Sequence, residues 1–170
     1  LAQAVRGWFK GSGGALVVTD QDHEANAGVW RRLADEGIEV REWQVDRATG
    51  SLDPAALARL LADGKVRLLC FPHCSNVIAE INDVAAICAM ARAARARTVV
   101  ERLSSRPPGF PTFLALGAEC YLVSASSTFG PHYGLVGVLQ GFRCAEPGQG
   151  HDLNHGPLRD HDPRSGQAQH

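Results

Sequence analysis

The sequence predicts an α/β fold, a three-layer α/β/α sandwich around a mostly parallel sheet. Three observations carry that expectation. Short apolar runs of strand length recur along the chain, as in Ala15-Leu16-Val17-Val18-Thr19 and Cys120-Tyr121-Leu122-Val123. Between them lie segments of about a dozen residues with apolar positions at helical spacing. The boundaries carry helix-start and helix-stop residues such as Asp53-Pro54, Asp83, Gly37 and Gly64. Strands separated by helices form βαβ units, whose crossovers cover both faces of a parallel sheet.

Taken in order, the chain opens in a helix ending near Phe9, followed by a glycine turn and a buried strand over 15–19. Asp22 or Thr19 then caps a helix with Val29, Trp30 and Leu33 on one face, and Gly37 closes it. Residues 38–45 alternate apolar and polar side chains, as an exposed strand does. Pro54 at the first helical position opens a helix with Ala56, Leu57, Leu60 and Leu61 on its apolar side, ending at Gly64. Residues 66–71 form a second buried strand, leading into the loop Pro72-His73-Cys74-Ser75-Asn76. Asp83 caps an alanine-rich helix to about Ala96, and Thr98-Val99-Val100 is a strand ending on Glu101. A short helix over 114–116, the strand over 120–123 and one more strand over 134–139 complete the series. In such sheets ligands bind beyond the carboxyl ends of the strands, which here carry residues 20–23, 73–76, 101–104 and 124–127.

Composition bounds the function. The chain has 170 residues, 45% of them apolar, enough for one domain with a real core. A net charge of −1 supplies no basic face in bulk, which argues against nucleic-acid and membrane partners. No apolar run approaches the roughly 20 residues that span a bilayer, and Arg6 and Lys10 interrupt any signal-like segment. Five cysteines without a Cys-x-x-Cys pair fit free thiols in a reducing cytoplasm, with Cys70, Cys88 and Cys120 inside apolar runs. Cys74 falls in a loop, with no neighbour that obviously lowers its pKa. Residues 1–145 are expected to form the domain and 146–170 a polar, flexible tail, since only Leu153 and Leu158 remain there as large apolar residues. The tail's His151, His155, His161 and His170 do not make a metal site, because Gly156-Pro157 interrupts the helix that a His-x-x-x-His pair needs. The start at Leu1, inside a helical pattern, reads as that of a fragment.

Four motifs stand at these strand ends, namely Asp22-His23-Glu24-Ala25-Asn26, Ser75-Asn76-Val77-Ile78-Ala79-Glu80-Ile81, Val99-Val100-Glu101-Arg102-Leu103-Ser104, and the stretch from Ser124-Ala125-Ser126-Ser127 to Gly134. In this order they resemble the class V aminotransferases, fold-type-I pyridoxal-phosphate proteins that include the cysteine desulfurases. The resemblance covers residues 15 to about 140 and implies part of the large domain of such an enzyme. It further implies pyridoxal phosphate as cofactor, an amino acid as substrate, and pairing as a homodimer or with an intact relative.

By this resemblance His23 matches the histidine that stacks on the pyridine ring, and Asn76 the residue that hydrogen-bonds its phenolic oxygen. Read locally, they are equally a loop histidine capping a helix and a turn asparagine. Glu101 falls where the family has the aspartate that pairs with the ring nitrogen; an ion pair with Arg102 or Arg106 is the plain alternative. Ser104 and Ser124 match polar positions near the cofactor, Ser124 at the phosphate. Ser127 occupies the position of the Schiff-base lysine, and a hydroxyl cannot form an imine. The chain's only lysines are Lys10 and Lys65. The expectation is therefore a class V aminotransferase-like or desulfurase-like protein impaired in lysine-dependent chemistry, without covalent cofactor attachment. A non-catalytic dimerisation or binding module and a fragment of a decayed gene are the alternatives.

Overall fold

The computed structural model describes residues 1–22, 24–75, 77–102, 116–124 and 134–138. Six strands, β1 (Ala15–Thr19), β2 (Glu39–Trp43), β3 (Val66–Pro72), β4 (Arg97–Arg102), β5 (Cys120–Ser124) and β6 (Gly134–Val138), join in one sheet in the order β2-β1-β3-β4-β5-β6. All neighbours are parallel except β5 and β6, which are antiparallel. Among the described residues four α-helices flank the sheet, α1 (Ala2–Ser12), α2 (Glu24–Arg31), α3 (Pro54–Leu61) and α4 (Val84–Ala93).

The three layers follow from alternation along buried strands. Leu16 and Val18 of β1 pack with Val5 and Phe9 of α1 and Trp30 of α2, together with Leu68, Cys70 and Val99. Their neighbours Ala15 and Val17 point the other way, toward Leu57 and Leu61 of α3 and Ile87 and Ala91 of α4, with Leu69, Phe71 and Val100. A strand buried on both faces must be apolar at every position, which is why β1 and β3 read as continuous apolar runs. Cys70, Cys88 and Cys120 are buried free thiols within these cores.

Helix boundaries follow the cap residues. Asp53 accepts from the main-chain N–H groups of Ala55 and Ala56 at 2.8 and 3.1 Å, and Asp83 from that of Ala86 at 3.0 Å. Gly37 closes its helix with φ 83°, a conformation that costs other residues strain. Several extents differ from the expectation. The first helix runs to Ser12, and the second leaves α geometry at Arg31 and finishes as a 3-10 turn over Arg32–Glu36. Thr19 ends β1 and is fully buried there, and the Asp22 carboxylate accepts from the Asn26 side chain. The helix over α4 stops at Ala93, because Arg95 takes a left-handed φ of 59°. The exposed strand is shorter than 38–45, and its last residue, Trp43, is buried.

Edge strand β2 is fastened by Arg41, which donates to the Leu60 carbonyl at 2.7 Å, to Glu39 at 2.7 Å and to Asp63 at 2.5 Å. The hydrogen bond from Arg41 holds the Asp63 carboxyl down at about 2. Charge on an edge strand also discourages pairing with another sheet. Among the described residues no helix is long and apolar enough to cross a membrane. Residues 114, 115 and 139, the tail over 146–170 with its histidines, and Cys144 lie outside the described residues.

Candidate functional site

The chain leaves β1 toward β2 on one side and later returns to β3 on the other, so the carboxyl ends of β1 and β3 flank the point where the winding reverses. Loops diverge there and leave a crevice for a ligand. Three polar side chains, those of Gln21, Ser75 and Asn82, tie the two loops together. Ser75 Oγ donates to the Gln21 carbonyl at 2.6 Å, and Asn82 Nδ2 donates to Gln21 Oε1 at 2.6 Å and to the Pro72 carbonyl at 2.8 Å. Gln21 Nε2 in turn reaches the Gly50 carbonyl at 3.2 Å, and Ser51 donates to Glu80 at 3.1 Å. Gln21, Ser75 and Asn82 are all buried, so each bond forms away from competing water and an unmade one is costly.

Ser75 has a second task. Its Oγ accepts from the main-chain N–H groups of Val77 and Ile78 at 3.2 and 3.3 Å, shaping a turn in which Ala79 adopts φ 57°. A non-glycine residue there costs strain that the surrounding bonds must hold. Val77, Ile78 and Ile81 are consequently left exposed on this turn.

Glu101 stands at the same edge near the end of β4, with Pro72 of β3 and Leu122 of β5 as its register partners. Its carbonyl accepts from the His73 N–H at 2.7 Å. Alternation from Val99, which packs toward α1 and α2, places the Glu101 side chain on that same face. Loss of water around this partly buried carboxyl, with the negative charge of Asp22 adding to it, pushes Glu101 up to about 7. The charge of Asp22 also helps to raise the buried Cys70 thiol, after burial itself. Asp22 is oriented by a chain of side chains at helical spacing: Asn26 Nδ2 donates to Asp22 Oδ2, and the buried Trp30 indole donates to Asn26 Oδ1 at 3.3 Å.

Of the residues expected at the site, Glu101 is thus placed at the carboxyl edge, and Ser124 ends β5 there, opposite Gly134. His23, Asn76, Ser104 and Ser127 lie outside the described residues, as does the side chain of Arg102 and the whole of Arg106. The neighbours of the first two, Asp22 and Glu24 on one loop and Ser75 and Val77 on the other, belong to the segments that flank the crevice. Gln21, Asn82 and the Asp22-Asn26-Trp30 chain were not singled out by the sequence reading as site components. The i, i+4 repeat of Asp22, Asn26 and Trp30 is the signal that was available; Gln21 and Asn82 are far apart in sequence and carry none.

Both lysines sit at the opposite edge. Lys10 is in the last turn of α1, 3.5 Å from Glu36, and Lys65 directly precedes β3, its carbonyl accepting from Ala15 N at 2.9 Å. A strand of this length separates the edges by roughly 15 Å. A half-buried acid that no described cation pairs with suits the nitrogen of a pyridine ring. Among the described residues at this edge, Glu101 is thus the group whose chemistry would fit the ring-nitrogen end of pyridoxal phosphate.

Known proteins resemble this chain in sequence and in fold. The family model described as Aminotransferase class-V matches residues 1–145. A cysteine desulfurase of Yersinia pestis (strain Pestoides F) is 34% identical over 134 residues, which are 78% of this chain and 32% of that protein. The chain therefore spans about a third of the length of the curated relatives it matches. Among solved structures, the Escherichia coli cysteine desulfurase CsdA superposes with a TM-score of 0.68 at 20% identity, over 81% of this chain and 36% of the other. Apo CalE6, a methionine gamma lyase from Micromonospora echinospora, superposes with a TM-score of 0.56 at 26% identity, over 74% and 32%.

Proposed function

The chain belongs to the class V aminotransferase family, and from that premise we propose that its carboxyl edge is a pyridoxal-phosphate site that holds the cofactor without a covalent bond. Residues 1–145 form the cofactor-binding large-domain portion in this reading, and 146–170 a polar tail. The observation that carries it is Glu101, a partly buried acid at the strand end where the ring nitrogen needs a partner.

When bound, pyridoxal phosphate supplies an electron sink for reactions of amino acids. Glu101 holds a proton at the position of the ring nitrogen. Gln21, Ser75 and Asn82 brace the two loops that flank the crevice; by the family resemblance His23 would stack on the ring, Asn76 would hydrogen-bond its phenolic oxygen, and Ser104 and Ser124 would serve as polar contacts, Ser124 at the phosphate. Ser127 takes the place of the lysine that family members use to carry the cofactor, and its hydroxyl leaves lysine-dependent turnover of an amino acid impaired.

The test is a Ser127→Lys variant beside the unaltered chain, each mixed with pyridoxal phosphate and reduced with borohydride. The unaltered chain is expected to bind reversibly and keep its mass, and the variant to gain the mass of one cofactor. Covalent capture by the unaltered chain would overturn the non-covalent reading, and absence of binding in both would remove the cofactor.

A second reading has its own support. Val77, Ile78 and Ile81 are 64%, 45% and 58% exposed on one turn beside the site, and apolar side chains grouped in this way suit assembly. They favour a module that pairs with itself or with an intact family relative.

A further inference from the structure

We propose that the cleft between the carboxyl ends of α3 and α4 is an oxyanion site for a small phosphorylated molecule, held by Arg67 and Arg95. It lies at the edge of the sheet where β3 begins, away from the crevice, and it stands independently of the cofactor reading.

Leu61 and Ala62 from the end of α3 and Ala93 and Ala94 from the end of α4 line, with Arg67 and Arg95, an open cleft of about 470 Å³. Small-molecule sites occupy volumes of this order. Arg67 reaches the cleft through an irregularity in β3. Ala15 pairs with Val66 but Leu16 with Leu68, so Arg67 is an extra residue without a register partner on β1. Val66 packs toward α3 and α4 and Leu68 toward α1 and α2, although residues two apart on a regular strand share a face. A bulge absorbs that difference and re-aims a side chain. Gly14 makes room for the arginine stem, since a Cβ there would stand 2.5 Å from Arg67 Cγ. Arg67 Nε is buried and has no hydrogen-bond partner among the described residues. A donor in that state remains uncompensated until an acceptor arrives.

Arg95 is the second group. It is exposed, follows the C-cap Ala94 and takes φ 59°, at a position that glycine usually fills. Arginine there carries strain that glycine would avoid. The acids closest along the chain are engaged elsewhere, Asp63 by Arg41 and Glu119 by Arg97. Among the described residues neither Arg67 nor Arg95 forms an ion pair, so two positive charges remain at the cleft.

Two guanidiniums match a phosphate monoester, whose charge approaches about −2 at neutral pH. Each planar fork can give parallel N–H bonds to phosphate oxygens. Ala62 and Ala93 stand at the ends of their helices, where carbonyls lack an intrahelical partner. The rest of the ligand is therefore expected to bring donors such as hydroxyls, which selects a hydroxylated phosphate ester over a bare carboxylate.

Proton–nitrogen NMR of the Arg67 Nε–H group, with glycerol phosphate as the probe, tests the site directly. A saturable shift is expected, whereas phosphate bound in the crevice would leave that resonance in place. Arg95→Gly is expected to weaken binding about tenfold or more and to leave the protein at least as resistant to urea, because glycine relieves the backbone. Arg67→Lys keeps the stem and the charge but loses the fork, and is expected to weaken binding to a similar degree when followed at the Ala94 amide. Should that variant not fold, Arg95→Gly decides alone. Arg47→Gln, exposed on the turn beside Gln21, is expected to leave the affinity unchanged. Absence of a saturable shift, unchanged affinity in Arg95→Gly, or an equal loss in Arg47→Gln overturns the proposal. Acetate binding as tightly as the ester overturns the assignment to a phosphate.

Discussion

Asn82→Ala is expected to lower the unfolding free energy by about 3 kcal/mol, read as an earlier midpoint in urea at constant m-value. The substitution removes the donor that both Gln21 Oε1 and the Pro72 carbonyl use, at 2.6 and 2.8 Å. Gln21 is only 2% exposed, so its carbonyl cannot turn to water and is left unsatisfied. Stranding a buried acceptor costs about 1–3 kcal/mol, more than the net worth of the bond itself. The loss should be non-additive: Gln21→Met combined with Asn82→Ala takes away the stranded group and recovers part of the stability, giving a coupling energy of about 1 kcal/mol or more. Additive effects would show that the two side chains do not act as a pair.

Glu101→Gln is expected to stabilise the protein by about 2 kcal/mol at pH 8 and to change nothing near pH 4. The folded chain holds this carboxyl at about 7, above its ordinary value of 4.5. Between those values the unfolded chain has released the proton and the folded chain keeps it, so folding becomes less favourable as pH rises through that window. Above it both states are ionised, and the folded state carries the whole cost of a desolvated carboxylate. A shift of this size corresponds to about 3 kcal/mol for a dry group, and the partial solvent contact of Glu101 reduces it to about 2 kcal/mol. Glutamine has nothing to ionise and escapes the cost. Unfolding curves across pH 4–8 check the sign: a gain that is flat with pH would belong to packing, and a loss at pH 8 would mean that a cation pairs with Glu101 in the free protein.

Much of the fold was legible because its determinants are local. Asp53-Pro54 and Asp83 cap helices with their own side chains, and Gly37 supplies a left-handed residue, so each boundary is written in one or two positions. The strands over 15–19 and 66–71 show as apolar runs because both faces of the sheet are covered. Extents were less legible. Nothing near Arg31 marks the change from α geometry to a 3-10 turn, and the stop of α4 depends on Arg95 adopting a conformation usually left to glycine. Of the residues in the candidate site, Glu101 and Ser124 stand near the carboxyl ends of their strands, as their place in the motif order implied, whereas His23, Asn76, Ser104 and Ser127 fall outside the described residues.

By itself, then, the sequence determined the layers, several helix caps, the family, and the distribution of lysines that leaves none in the stretch from Ser124 to Gly134. These depend on residue type and short-range spacing, which a linear chain displays directly. Only the tertiary structure decided that β6 runs antiparallel, that Gln21 and Asn82 join loops 61 residues apart, and that Glu101 is partly buried. Each of those depends on which distant segments the sheet order brings together, and on how much water remains between them. An acid at position 101 reads as an ordinary surface charge in the chain; the burial around it and the second carboxylate near it turn it into a group that holds its proton close to neutral pH.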